Sequence, residues 1–192
     1  MTIHLSDIAR SIEQALRYFK PAQKVNEFYG EYYSPYYGFM SLIAACFNQY
    51  AFLAVELGVD QGRGLVSLAS GTTGNGVIIG IDHTFKDNVE IAQKLYSNII
   101  FLEQDTMPVP DWFNQQNRKI SLLHIDTEHS YAMADSEFHA YKPLLAKPAV
   151  VIFDDLHAQD DDVLKLFMEL PYPKIQDDRL HPECGWGVIL YE

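Results

Sequence analysis

An α/β fold, with a doubly wound, mostly parallel, seven-stranded sheet and helices on both faces, is predicted by three features of the sequence. From residue 52 onward, apolar runs of strand length alternate with amphipathic stretches of helix length, the pattern of parallel strands joined by crossover helices. The last two runs, 172–176 and 186–191, are separated by a short polar segment. They must therefore pair antiparallel and leave one reversed strand in the edge region of the sheet. Finally, the first run ends in Glu56-Leu57-Gly58-Val59-Asp60-Gln61-Gly62-Arg63-Gly64, an acid followed by three spaced glycines. It reads as a strand breaking into a turn and helix that approach a nucleotide-type ligand closely.

The elements follow in order. Ser6 is a suitable N-cap for a helix whose apolar face is Ile8, Ile12, Leu16 and Phe19, closed by Pro21. A second helix is expected from about Gly38 to Gln49. The alternation then gives strands at 52–57, 77–81, 99–102, 120–125 and 149–153. The intervening and following helices fall at 62–69, 86–96, 111–116, 131–145 and 160–170, and strands 172–176 and 186–191 close the chain.

At 192 residues one domain is expected, with residues 1–50 forming a helical, aromatic lid or interface segment and 51–192 the core. A net charge of −12 without a Lys/Arg cluster argues against a nucleic-acid partner. Cys46 and Cys184 form no C-x-x-C pair, so neither a disulfide scaffold nor a thiolate zinc site is suggested, and a cytoplasmic location is expected. Residues Tyr32 to Val55 carry no charge, but Pro35, Gly38, Asn48 and Gln49 interrupt them. A buried or interface helix fits this run better than a membrane span.

Asp82 ends the second strand, where an acid either accepts both hydroxyls of a ribose or caps the next helix. Asp105 and Thr106, after the third strand, either face the ligand's base or make a turn before Pro108. Asp126 ends the fourth strand and Asp154-Asp155 the fifth. Adjacent parallel strands lie about 4.8 Å apart, and like charges a few ångströms apart repel by about 4 kcal/mol in a surface-like dielectric. Either the three acids share a cation, with Mg²⁺ favoured and Mn²⁺ next, or they cap the helices that follow.

Glu56 with its glycines, Gly80-Ile81-Asp82, Asp105-Thr106 and Leu123-His124-Ile125-Asp126-Thr127-Glu128-His129-Ser130-Tyr131 occur in an order that resembles class I S-adenosylmethionine-dependent methyltransferases, most closely the methyltransferase family 24 branch. That branch typically shows I-D-G-D-H-S-Y where this chain has I-D-T-E-H-S-Y. The resemblance runs from about Phe52 to His157. It implies that Gly58, Gly62 and Gly64 shape the S-adenosylmethionine turn, Glu56 supports the methionine end, Asp82 holds the ribose, and Asp105, with Thr106, the adenine. Metal-dependent O-methyltransferases of similar sequence place three oxygen ligands where this chain has Asp126, Asp154 and Asp155. Their general base corresponds to His129, with Glu128 the rival and His157 a further candidate near the metal.

The activity implied is methyl transfer to a small-molecule hydroxyl with a divalent cation. The alternatives are a cephalosporin hydroxylase-like reaction on the same scaffold, or a non-catalytic cofactor-binding partner subunit. Seven aromatics between Phe28 and Phe39 are too dense for a core helix. They either stack on the acceptor or form a homodimer contact. Arg179 and His181 either touch the acceptor or are solvated loop residues.

Overall fold

The computed structural model describes residues 3–18, 28, 34–47, 53–72, 76–84, 86–115 and 118–192. The helices are α1 (Leu5–Tyr18), α2 (Pro35–Cys46), α3 (Arg63–Ser70), α4 (Asp87–Leu95), α5 (Asp111–Gln115), α6 (Tyr131–Tyr141) and α7 (Asp162–Glu169). The strands are β1 (Leu53–Leu57), β2 (Val77–Asp82), β3 (Ile99–Glu103), β4 (Ile120–Ile125), β5 (Leu145–Asp154), β6 (Lys174–Gln176) and β7 (Trp186–Tyr191). They form one sheet in the order β3-β2-β1-β4-β5-β7-β6. All pairings are parallel except those of β7, which runs antiparallel to both β5 and β6. This is the expected architecture, and the strand order reverses between β1 and β4.

Period-two alternation along the strands sorts the core onto two faces. Ala54, Ile78, Leu122 and Ile152 pack with the apolar sides of α1–α4. Val55, Ile79, Leu123 and Phe153 pack with α5–α7. Their neighbours Glu56, His124 and Asp154 share the first of these faces. Among the described residues no helix is long and apolar enough to cross a membrane.

Three helices, α1, α2 and α6, depart from the sequence expectation for local reasons. Helix α1 starts at Leu5, because Asp7 reaches back to accept the His4 backbone N–H at 3.0 Å, so Ser6 is not the cap; Phe19 and Pro21 lie outside the described residues. Helix α2 starts at Pro35, whose missing N–H costs nothing in the first turn, and ends at Cys46. Helix α6 stops at Tyr141, since Pro143 has no N–H to continue it, and a short 3₁₀ turn (Lys142–Leu144) leads directly into β5.

The aromatic segment is also different from its expectation. Tyr36 and Phe39 are core residues of α2, 2% and 0% exposed. Phe39 lies on Trp186 of β7 with ring centroids 4.6 Å apart, and Tyr36 packs between Trp186 and His181. The buried Trp186 indole gives these rings a broad apolar surface to pack against. Tyr29, Tyr32 and Tyr33 lie outside the described residues.

Candidate active site

A cavity of about 780 Å³ opens at the carboxyl ends of β1, β2 and β4, beside the point where the strand order reverses. Gly58, Asp82, Asp105, Thr106, Asp126 and His129 all line it. The glycines serve the protein's own packing. Gly58 has φ +80°, and a Cβ there would sit 1.8 Å from the backbone oxygen of Asp126; this close approach lets the Leu57 carbonyl accept the Asp126 N–H at 2.9 Å. A Cβ on Gly64 would lie 1.7 Å from Oε1 of Glu56, so the acid beneath α3 requires a glycine above it. Gly62 supplies the left-handed cap at the start of α3.

Asp82 holds the glycine turn in place. Its Oδ2 accepts the backbone N–H groups of Val59 at 2.9 Å and Asp60 at 3.1 Å, and its Oδ1 that of Thr84 at 3.1 Å. Burial works against the charge, but these three donors outweigh it and keep the carboxyl below the usual range. Asp105 is exposed on the rim. Thr106 is buried and donates to Oε1 of Glu137 at 2.5 Å, while Thr127 donates to Oε2 of the same residue at 2.8 Å. Glu137, fully buried on α6, therefore ties the loop after β3 to the loop after β4. Its burial raises its carboxyl against the pull of these two hydroxyls.

Beside the large cavity lies a polar one of about 70 Å³, bounded by Tyr36, Tyr37, Glu56, His124, Asp126 and Asp154. Strand register creates it: Glu56 on β1 faces His124 on β4, both on the α1–α4 side. His124 Nδ1 lies 3.1 Å from Glu56 Oε1, and Nε2 lies 2.8 Å from the Tyr36 hydroxyl and 3.8 Å from Asp154 Oδ2. Burial opposes the imidazolium, but Asp154 and Glu56 prevail and raise it to about 10. Burial also lifts Glu56 to about 7 despite His124. Glu56 Oε2 is buried without a hydrogen-bond partner. The sequence reading missed both His124 and Glu137; each is a polar residue at a position where the strand or helix pattern calls for an apolar one.

The three acids expected to act together separate onto two sides. Asp154, the last residue of β5, points to His124 and to His181, whose Nδ1 is 4.0 Å away. Asp155, the first residue beyond β5, has φ +51°, and its side chain turns the other way. It accepts from Nδ1 of His129 at 2.9 Å, and Nε2 of His129 is 3.3 Å from Oδ1 of Asp126. Burial, then the nearby Asp154, pushes the Asp126 carboxyl up, the repulsion that the strand ends imply. Hydrogen bonds to Asp126 and Asp155 raise His129 to about 10, so without a metal its imidazolium balances these two carboxylates. Ligand atoms of Asp126, His129 and Asp155 lie within 4.8 Å of one another, a donor set that fits a divalent cation. Asp154 is not in that set.

Glu128 lines the cavity and accepts from the Ser130 hydroxyl at 2.7 Å. His157 is held away from Asp126, between Asp161 at 2.9 Å and Asp178 at 3.5 Å. Arg179 pairs with Asp177 and, at 2.9 Å, with Glu13 of α1, so it staples a loop to that helix.

The switch-point cavity, the acid-clamped glycine turn and the carboxylates at the strand ends define a nucleotide-cofactor site on a class I methyltransferase sheet. The chain belongs to the methyltransferase-domain family numbered 24, whose model matches residues 55–156, and it is an S-adenosylmethionine-dependent methyltransferase. No curated protein matches it significantly. Among solved structures it is similar to the O-methyltransferase TomG from Streptomyces achromogenes, in complex with S-adenosylmethionine: 13% identity, TM-score 0.67, both chains covered in full at 100%. It is also similar to the O-methyltransferase from Bacillus cereus in complex with S-adenosylhomocysteine, at 13% identity and TM-score 0.66, covering 98% of this chain and 99% of that one. A TDP-rhamnose 3′-O-methyltransferase of calicheamicin biosynthesis aligns at 14% identity and TM-score 0.63, over 99% of this chain and 97% of that one. At these identities the likeness is one of fold.

Proposed function

We propose that this protein transfers the methyl group of S-adenosylmethionine to a hydroxyl oxygen of a small molecule, with Asp126 and Asp155 holding a divalent cation. The observation that carries the reading is the continuity of the site: the cavity bounded by Asp82 and Asp105 runs directly to Asp126 and His129. The cofactor, when bound, supplies the electrophilic methyl carbon. Asp105 and Thr106 flank its adenine and Asp82 its ribose. Glu56, with an unpartnered buried oxygen, faces the ammonium of its methionine end. A divalent cation between Asp126 and Asp155 would be Mg²⁺ or Mn²⁺, and it would fix the acceptor oxygen and lower the pKa of its proton. Asp154 acts one step back by orienting His124.

Transfer of that methyl group would leave the cofactor's sulfur with the electron pair of the broken carbon–sulfur bond, and the acceptor hydroxyl would have to lose its proton. The hydroxyl proton passes to His129 or to Glu128. His129 can accept it once its own proton, held between the two carboxylates, has been released. Positioning of oxygen, carbon and sulfur in line supplies much of the acceleration. Tyr36 and Tyr37, at the small cavity beside Asp126, form the wall nearest the acceptor.

Incubation with methyl-labelled S-adenosylmethionine and a panel of phenols and sugars, with Mg²⁺ or with chelator, tests the reading. Label should appear in an oxygen-methylated product in a metal-dependent way, and Asp126→Asn should abolish it while retaining S-adenosylhomocysteine binding. Full activity of Asp126→Asn with chelator present would refute the cation's role.

A further inference from the structure

A second cluster of ligand atoms shares Asp155 with the arrangement just described and draws its other two members from the β6–β7 loop. Asp155, His181 and Cys184 bring a carboxylate oxygen, an imidazole nitrogen and a thiol sulfur within 4.8 Å of one another. The backbone holds the three in register. The His157 N–H donates to the Cys184 carbonyl at 2.8 Å and the Leu156 N–H to that of Gly185 at 3.3 Å, which stitches the β6–β7 loop to the residues that follow Asp155. Within the loop the Gly185 N–H returns to the His181 carbonyl at 2.8 Å, a closed turn that carries His181 and Cys184 three residues apart. His181 is fixed further by its ring, 5.4 Å from that of Tyr36. Its Nδ1 is buried with no hydrogen-bond partner. The nearest acid to this nitrogen is Asp154, whose Oδ1 is 4.0 Å away, beyond hydrogen-bond reach.

We propose that Asp155, His181 and Cys184 form a binding site for Zn²⁺. One carboxylate, one imidazole and one thiolate are a borderline-soft donor set that selects Zn²⁺ over Mg²⁺, and three protein ligands leave a fourth tetrahedral position open. The aspartate and the thiolate together neutralise the divalent charge. The Cys184 thiol releases its proton to solvent as the sulfur–zinc bond forms. Without a metal the thiol stays protonated: burial and then Asp155 push it to about 11. His181 and Cys184 both lie in the closing loop, beyond residue 156, where the family match ends. It requires no C-x-x-C pair, because tertiary structure brings the donors together. The proposal requires no particular acceptor, but zinc and the oxygen-bound cation would share Asp155.

The test uses the full-length protein with excess Mg²⁺, titrated with Co²⁺ as a spectroscopic stand-in and then with Zn²⁺. Wild type should develop a near-ultraviolet thiolate-to-cobalt charge-transfer band that Zn²⁺ abolishes at one equivalent. Cys184→Ser and His181→Ala, each checked for an unchanged circular dichroism spectrum, should lose the band. Their zinc affinity should fall by more than the roughly 10–100-fold that outer-sphere partners contribute. Cys46→Ser should keep the band. Absence of the band in wild type, its loss in Cys46→Ser instead, or unchanged zinc affinity in both Cys184→Ser and His181→Ala would overturn the proposal.

Discussion

Replacing Glu137 by alanine removes the one side chain that receives both the Thr106 and the Thr127 hydroxyls, at 2.5 and 2.8 Å. Glu137 is fully buried, and its removal takes from both hydroxyls their acceptor within the protein. A hydrogen bond to a charged group contributes about 1.5–3 kcal/mol, and the relief of burying a carboxylate offsets part of two such bonds; the net loss is about 3 kcal/mol. In a chain of this size that lowers the melting temperature by roughly 6–12 °C. Because Thr106 and Thr127 both line the cavity, its two walls lose their common anchor. Calorimetry should then show S-adenosylhomocysteine binding weakened by about 1 kcal/mol or more, roughly fivefold in Kd. Glu137→Gln keeps the shape and one acceptor and should recover most of both losses. A double-mutant cycle of Glu137→Ala with Thr106→Val should show a coupling of about 0.5 kcal/mol or more. A Glu137→Ala protein that melts with wild type, or a cycle without coupling, would refute the claim that this carboxyl joins the two loops.

Three further outcomes follow from the same geometry. Gly58→Ala puts a Cβ against the Asp126 carbonyl at positive φ, so it should destabilise the fold by at least about 3 kcal/mol in urea unfolding, with no second-site rescue by side-chain truncation. Gly64→Ala meets the Glu56 side chain instead, so combining it with Glu56→Ala should destabilise less than the sum of the two changes; strict additivity would show that the contact is not what limits position 64. Glu56 has its folded-state pKa raised from 4.5 to about 7, so its contribution to stability is present in full below 4.5 and is lost as pH rises through about 7. Urea unfolding from pH 4 to 8 should show a downward trend that flattens in Glu56→Gln, and identical slopes would disprove the shift.

The strands, their order of appearance and the reversed strand near the edge were legible in the sequence because hydrophobic periodicity and connection length are local properties. The glycine turn, Asp82 and the acids at the strand ends were legible for the same reason: each sits at the break of an apolar run. Local pattern also set the limits. Asp7 overrode Ser6 as a cap, and Trp186, distant in sequence, turned the aromatics of α2 into core. Which acids meet was decided by tertiary structure alone. Asp154 and Asp155 are neighbours in sequence but turn to opposite sides, so one orients His124 and the other grips His129. Glu137 and His124 reveal their roles once helix packing and strand register have placed them beside Thr106, Thr127 and Glu56. His181 and Cys184 reach Asp155 through a loop whose backbone bonds to the segment after β5. Periodicity along a chain records which side chains leave water together, whereas the partner of a buried charge is set by contacts between segments far apart in sequence.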